Sequence, residues 1–356
     1  MMQPIHIEHT SAPKPRPKAS DIGFGKYFTD HMFILDYDDG KGWHDARIQP
    51  YQPITLDPAA KVFHYGQAIF EGLKAYRTEA GNLVLFRPEM NIKRLNRSND
   101  RMSIPVIDEE LVLEALHQLV LIDQTWIPHE PGTSLYIRPF VIATEDMLGV
   151  SPSKQYKFMI IMSPVGAYYD EGVKPISIYV ESEFVRAVAG GVGHVKTAGN
   201  YAAGLKAQEG ATLQGCAQVL WLDGVHRKYV EEVGSMNVFF HLGDKIVTPA
   251  LTGGLLPGIT RDSVIHLLRY WGLKVEERLF SIDELVQVQK DGNLKEMFGT
   301  GTAAVISPVG SLVWKGETLT IGDGSIGELA AHLYETITGI QTGRIEDPFG
   351  WRVVLK

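Results

Sequence analysis

Lys196 sits in the run Gly191-Val192-Gly193-His194-Val195-Lys196-Thr197-Ala198-Gly199-Asn200-Tyr201. A lysine amine is ordinarily hydrated and charged. Where glycines let other backbone or a ligand crowd it, it loses part of its preference for charge and becomes a nucleophile able to form a Schiff base with an aldehyde. A surface lysine on a glycine-rich loop is the plain alternative, and lysine is seldom fully buried. Other runs decide between the two. Leu255-Leu256-Pro257-Gly258-Ile259-Thr260-Arg261 leads straight into a helical pattern, so the amides of Ile259 and Thr260 fall at a helix N-terminus that favours an anion. Phe298-Gly299-Thr300-Gly301-Thr302-Ala303-Ala304 is a second loop of amides and hydroxyls; it lacks the lysine of a Walker sequence and the GxGxxG spacing of a dinucleotide site.

Pyridoxal phosphate is an aldehyde that would use these features together. Its phosphate needs amides and a cation, its ring nitrogen an acid, and its phenolic oxygen a donor. Arg94, in Asn91-Ile92-Lys93-Arg94-Leu95, is a candidate cation, and Tyr201 a candidate donor. Glu231 and Glu232 end a strand pattern, and alternation sends one inward and one outward; an inward carboxylate would hold a pyridine nitrogen protonated. A solvated acidic strand end is the competing reading. Leu135-Tyr136-Ile137-Arg138-Pro139 places Tyr136 and Arg138 on one face of a strand, and an inward arginine needs a carboxylate from the protein or a substrate.

The chain of 356 residues suits two domains. Hydrophobic residues make up 44% and charged residues 21%, the profile of a soluble globular protein. A net charge of −8 without a basic run argues against general nucleic-acid or membrane-surface binding. Cys216 is the one cysteine, so no internal disulfide and no cysteine zinc cluster is expected; no metal site is expected at all. Its apolar surroundings read as a core thiol. No apolar stretch reaches membrane-span length, the N-terminus lacks a secretion signal, and the cytoplasm is the expected location.

The pattern predicts strands over 31–37, 68–77, 83–87, 134–143 and 156–162, and a helix over 108–123 capped by Asp108. Residues 1–20 read as a mobile tail, 21–164 as a small N-terminal α/β domain, 165–175 as a linker and 176–356 as a larger C-terminal domain. In that second part, Asn200 is expected to cap a helix reaching Gln214, Val225–Glu232 to return as a strand, and Ser281 with Glu284 to form a capping box. A helix from Thr260 should bury Val264, Leu267, Leu268 and Trp271, and a late helix should carry Ile326, Leu329, Ala330, Leu333 and Ile337 on one face.

The runs FGKYFTDHM, GQAIFEGLKAYR, NIKRLNRS, LYIRP, PVGAYY, GGVGHVKTAGNYAAGL, QVLWLDG, EEVGSMNVFF, LLPGITRDS and EMFGTGTAAVISPVG follow one another from about residue 23 to the C-terminus. Together they resemble the branched-chain amino-acid aminotransferases, a fold type IV group of pyridoxal-phosphate enzymes. The resemblance implies an α/β (α+β) protein of two domains, the larger carrying a pseudo-barrel sheet. It implies pyridoxal 5'-phosphate as cofactor, and transfer of the amino group of leucine, isoleucine or valine to 2-oxoglutarate by a ping-pong mechanism. Lys196 would be the Schiff-base lysine, Tyr201 would bond the phenolic oxygen and Glu232 the ring nitrogen. Arg94, Ile259, Thr260 and Thr302 would hold the phosphate. Phe24, Tyr65, Phe70, Tyr136 and Tyr168 would wall the side-chain pocket, Arg138 would read the glutamate carboxylate, and backbone near Thr302 and Ala303 would take the substrate carboxylate. Members are homodimers or larger, and Leu148 and Val150 match residues that reach into the partner's site. Mammalian members carry a Cys-x-x-Cys pair where Ala304 and Ser307 stand here, so a dithiol switch of that kind is excluded. Other fold type IV enzymes, such as a D-amino-acid aminotransferase or an aminodeoxychorismate lyase, share the cofactor lysine and glutamate, and a non-catalytic pyridoxal-phosphate-binding protein is the reading from another class.

Overall fold

A computed structural model describes residues 3–166 and 174–356 of the protein. Most of the expected linker, and Tyr168 with it, lies outside the described residues. Two compact units divide the chain. The first takes Met1–Asp170, Lys196–Ala198 and Gly339–Lys356; the second takes Glu171–Val195 and Gly199–Thr338.

The first unit is a sheet covered by helices. Its strands are β1 (His6–Ile7), β2 (His31–Asp38), β3 (Gly42–Pro50), β4 (Ala68–Phe70), β5 (Leu73–Arg77), β6 (Leu83–Phe86), β7 (Ser134–Ala143) and β8 (Gln155–Val165), with a C-terminal strand Arg352–Leu355. The order is β1-β3-β2-β8-β7-β5-β6 and then the C-terminal strand, with β4 paired to β7. Helices α1 (Lys61–Tyr65), α2 (Pro88–Arg101) and α3 (Glu109–Ile122) complete it. Asp108 caps α3 by accepting from the amides of Glu110 and Leu111, as expected. Leu111, Val112, Ala115, Leu116 and Leu119 of α3 then pack with Ile92 and Leu95 of α2 against Leu73, Ala75, Leu135, Ile137 and Val141 of the sheet. Each leucine, isoleucine or valine buried there contributes about 1.5–3 kcal/mol, and each alanine less. Strand alternation leaves Tyr136 and Arg138 on the opposite face, with Lys74 in register beside Tyr136.

Three details depart from the expectations. The run 68–77 breaks into β4 and β5 because Glu71 and Gly72 leave the ladder: the Glu71 carboxylate accepts from the Gly72 amide at 3.1 Å. Within the expected tail, β1 pairs in parallel with β3. Residues from Gly339 onward belong to the first unit, because Arg352–Leu355 pairs with β6 along its whole length.

The second unit contains the barrel that the resemblance implies. Its strands are β9 (Ile176–Val180), β10 (Gln218–Leu222), β11 (Val230–Val233), β12 (Met236–Leu242), β13 (Lys245–Pro249), β14 (Lys274–Arg278), β15 (Leu294–Gly301), β16 (Val305–Trp314) and β17 (Glu317–Thr320). β9, β10, β11, β12, β15 and β16 close on themselves, because β11 pairs with both β10 and β12. Closure removes the open edges that an isolated sheet would expose. Ile178, Leu220, Val233, Val238, Phe240, Met297 and Leu312 fill its core. The helices are α4 (Ala198–Ala202), α5 (Leu205–Leu213), α6 (Ile259–Tyr270), α7 (Ile282–Lys290) and α8 (Glu328–Thr342). Cys216 is buried against Ala207, Ala211, Val219 and Trp221.

Asn200 does not cap a helix. It lies inside α4, and its amide donates to the carbonyls of Val192 at 2.8 Å and Val195 at 2.9 Å, fastening the glycine-rich run that precedes Lys196. Residues 225–229 are not a strand. The Asp223 carboxylate accepts from the amides of Val225, His226, Lys228 and Tyr229 and rolls them into a loop, so β11 begins only at Val230. Half of the capping box forms: Ser281 accepts from Glu284 N at 3.0 Å, while the Glu284 carboxylate turns to Arg278. Trp271 lies just past the end of α6 and is half-buried, and Ile326 precedes α8 and is exposed.

Candidate active site

The backbone of Lys196 is held on three sides within the first unit. Its amide donates to Ser98 Oγ of α2 at 3.1 Å, its carbonyl accepts from Phe70 N at 3.0 Å, and Thr197 pairs with Ile69 as an isolated antiparallel bridge. Thr197 Oγ1 adds a bond to the Ala68 carbonyl at 2.8 Å. The residue is thus presented from the edge of β4, not from a loose loop. Its Nζ stands 4.7 Å from the centre of the Phe70 ring. Burial lowers its pKa to about 8; Arg94 and Arg138 act in the same direction, while Glu71 and Tyr136 oppose them. At pH 7 roughly one amine in ten is then neutral, against about three in ten thousand for an unperturbed lysine.

Arg94 follows from the helical spacing of α2. Asn91, Arg94 and Ser98 stand three and four positions apart and so share a face. The carboxylate waiting there is Glu71, which has no exposed surface. Arg94 Nε donates to Glu71 Oε1 at 2.7 Å and Nη2 to Oε2 at 2.9 Å; Asn91 Nδ2 adds a bond to Oε2 at 2.9 Å. Burial resists ionisation of Glu71, but Arg94, with Lys196 and Asn91, outweighs it and holds the carboxyl below its ordinary range.

Around this cluster the expected pocket residues gather in part. Arg138 Nη2 donates to Tyr136 Oη at 3.1 Å, and its guanidinium lies 4.7 Å from the Phe70 ring centre. Arg138 Nε is buried without a hydrogen-bond partner among the described residues, which suits an incoming carboxylate. Phe24 meets Tyr136 edge to face at 4.9 Å. Tyr65 bonds the Leu148 carbonyl through its hydroxyl. Leu148 and Val150 are 61% and 87% exposed.

In the second unit, Tyr201 and Glu232 line one cavity of about 260 Å³, together with Val195, Trp221 and Leu256. Glu232 Oε1 accepts from Leu256 N at 2.9 Å, and Arg186 Nε approaches Oε2 at 3.2 Å. Arg186 also donates to the carbonyls of Gly193 and Gly254. Glycine is required at 193, where a Cβ would come within 2.6 Å of the Ala187 side chain and overlap the Gly254 carbonyl. Glu231 corrects the expectation of an outward, solvated acid. It too is buried; a Cβ at Gly254 would run into its carboxylate, and Oε2 has no hydrogen-bond partner among the described residues. Burial raises it to about 7, with Arg186 opposing and Glu232 and Asp223 adding to the rise. Ile259 and Thr260 open α6 behind an extended Gly258 with no side-chain cap, so the helix begins on bare amides. Thr302 and Ala303 lie in the turn between β15 and β16, half-buried.

Glu71 and Arg186 were missed at the level of sequence. Each sits inside a run that reads locally as strand or loop, and its partner is distant along the chain. Among the described residues no group of three or more His, Cys, Asp or Glu side chains is placed to hold a metal ion.

Known proteins show the chain's kinship. The family described as Amino-transferase class IV matches residues 68–312. Branched-chain-amino-acid aminotransferase 2 of Bacillus subtilis is 62% identical over 98% of this chain and 96% of its own length. The branched-chain-amino-acid aminotransferase of Mycolicibacterium smegmatis is 51% identical over 92% and 91%. Among solved structures, the branched-chain amino acid aminotransferase of Escherichia coli superimposes with a TM-score of 0.73 at 25% identity, covering 91% of this chain and 99% of that one. Sequence kinship along nearly the whole length, together with a shared fold, shows that the chain belongs to the class IV aminotransferase family, in its branched-chain-amino-acid aminotransferase group.

Proposed function

We propose that the protein moves the amino group of L-leucine, L-isoleucine and L-valine to 2-oxoglutarate, yielding the branched 2-oxo acids and L-glutamate in two alternating half-reactions, with pyridoxal 5'-phosphate as cofactor. The observation that carries this reading is the Lys196 amine: its pKa is lowered to about 8, and it is set over Phe70 in a cluster where Arg94 grips the Glu71 carboxylate and Arg138 lies against the same ring. The donor set fits the cofactor. Lys196 would bear its aldehyde carbon, Glu232 would hold the ring nitrogen and Tyr201 the phenolic oxygen. Arg94, Ile259, Thr260 and Thr302 would hold the phosphate. When bound, pyridoxal 5'-phosphate supplies an aldehyde that links to amines and a ring that draws electrons from the substrate's α-carbon.

The chain's own residues do the rest. Lys196 Nζ takes the α-hydrogen of the amino acid as a proton and gives it back, a task for which a pKa near the working pH is suited. Glu232, held by the Leu256 amide with Arg186 beside it, would accept a hydrogen bond from the ring nitrogen and favour a proton there. Phe24, Tyr65, Phe70, Tyr136 and Tyr168 would offer apolar surface to a branched side chain, and backbone at Thr302 and Ala303 would take the α-carboxylate. Arg138, with its unsatisfied Nε, would take the second carboxylate of 2-oxoglutarate and glutamate.

Leu148 and Val150, exposed here, would be covered by a second copy in a homodimer. No described helix is long and apolar enough to cross a membrane; a cytoplasmic location is proposed. The test is the absorption of the cofactor-loaded protein on adding L-leucine, followed by turnover with 2-oxoglutarate. A change with L-leucine and none with D-alanine supports the reading. Equal response to D-alanine, or full turnover by Lys196→Ala, refutes it.

A further inference from the structure

We propose that Glu71 is a positioning residue of this site: it grips one edge of the Arg94 guanidinium, fixing the direction of that fork, and it is the counter-charge of the Lys196 ammonium. The proposal rests on the reading of Arg94 as a phosphate ligand and Lys196 as the cofactor lysine given above. Three observations carry it. The grip is bidentate, at 2.7 and 2.9 Å, and so defines an orientation and not merely a proximity. The carboxylate is itself held from both sides, by Asn91 Nδ2 at 2.9 Å and the Gly72 amide at 3.1 Å, while its backbone amide donates to the Pro139 carbonyl at 2.7 Å. The third lies at the amine: the Lys196 carbonyl accepts from Phe70 N, the residue next to Glu71, at 3.0 Å, and Nζ stands 4.7 Å from the Phe70 ring centre, where Glu71 and Tyr136 favour the proton and Arg94 and Arg138 oppose it. A buried ion pair adds little net stability over apolar packing, so a carboxylate with no exposed surface calls for another account. Orientation of a phosphate-binding fork, and a proton affinity for the amine that stays near the working range, provide one.

The experiment uses the protein stripped of cofactor, titrated with pyridoxal 5'-phosphate and with pyridoxal, which lacks the phosphate. Uptake is read from the visible absorption of each compound over a pH series. Wild type, Glu71→Gln, Glu71→Asp, Arg94→Gln and the double variant Glu71→Gln/Arg94→Gln are compared. Loss of the grip on Arg94 should weaken pyridoxal 5'-phosphate about tenfold or more in Glu71→Gln, the scale of a charged hydrogen bond, and pyridoxal by much less. Removal of a negative charge disfavours the ammonium, so the midpoint of the pH dependence should move down in Glu71→Gln and return towards wild type in Glu71→Asp. Adding Glu71→Gln to Arg94→Gln should cost no further preference for the phosphorylated compound, since Glu71 acts through Arg94. That comparison stands even if the single Glu71→Gln protein fails to fold, because the double variant leaves no unpaired buried arginine. Parallel weakening of both compounds, an unmoved midpoint, or a further tenfold loss in the double variant overturns the proposal. If the wild-type protein takes up neither compound, the cofactor reading fails and this inference falls with it.

Discussion

Replacing Gly72 by alanine should change substrate choice without touching the lysine. Gly72 has no positive φ, so alanine meets no backbone strain there. The obstacle is space: a Cβ would overlap the Tyr136 hydroxyl and lie 2.9 Å from Tyr136 Cζ. The backbone cannot yield readily. The Gly72 amide is bonded to the Glu71 carboxylate at 3.1 Å and its carbonyl to Asn91 at 3.2 Å. The tyrosine must therefore move, by about 1 Å, at the ordinary overpacking cost of about 1–3 kcal/mol. That displacement breaks the bond from Arg138 Nη2 to Tyr136 Oη and loosens the Phe24 contact. A hydrogen bond to a charged group is worth about 1.5–3 kcal/mol, so placement of a carboxylate by Arg138 should weaken roughly tenfold to a hundredfold. Steady-state kinetics should show KM for 2-oxoglutarate rising by that factor while KM for a branched 2-oxo acid rises much less. Adding Tyr136→Phe removes the overlapping oxygen, so thermal stability should recover in part while the selectivity defect remains. Equal KM changes for both co-substrates, or none, would refute the reasoning.

Further outcomes are expected. Reaction of the stripped protein with pyridoxal 5'-phosphate should rise with pH through a midpoint near 8, because the neutral amine is the reactive form, and a midpoint near 10.5 would contradict the environment described for Lys196. Glu231, raised to about 7, favours the folded state below its unfolded pKa near 4.5 and loses that contribution as pH rises through 7. Urea titrations at pH 5 and 8 should therefore show a smaller decline in stability for Glu231→Gln than for wild type, by about 1–3 kcal/mol. Ser281→Ala removes the bond to Glu284 N that starts α7 and should cost about 1 kcal/mol in the same assay. Cys216, buried and with its thiol pKa raised by burial, should react with a thiol reagent only slowly until the protein is unfolded.

Much of the fold was legible because local rules governed it. The 3.6-residue stripe of α3 and its Asp108 cap lie within a few residues of one another, and the alternation of β7 announces its two faces directly. Lys196, Tyr201 and Glu232 could be singled out because each sits in a run whose glycines or paired acids are unusual for plain structure. The misses have one physical cause, a side chain that satisfies backbone far from where propensity assigns it. Asp223 takes four amides and abolishes the expected strand at 225–229; Asn200 reaches back to two carbonyls and does not cap. Glu71 was hidden by the same token, since nothing in a strand-like run discloses an arginine partner 23 positions onward.

The short excursion of Lys196–Ala198 into the first unit has a consequence for dissecting this protein. Those three residues are encoded in the midst of the second unit's sequence, yet their hydrogen bonds are made with Ala68, Phe70 and Ser98. A fragment expressed to residue 166 would retain Arg94, Glu71, Phe70 and Tyr136 but arrive without Lys196. A piece meant to keep Lys196 beside β4 must run through Ala198, or receive that tripeptide in trans as the missing tooth.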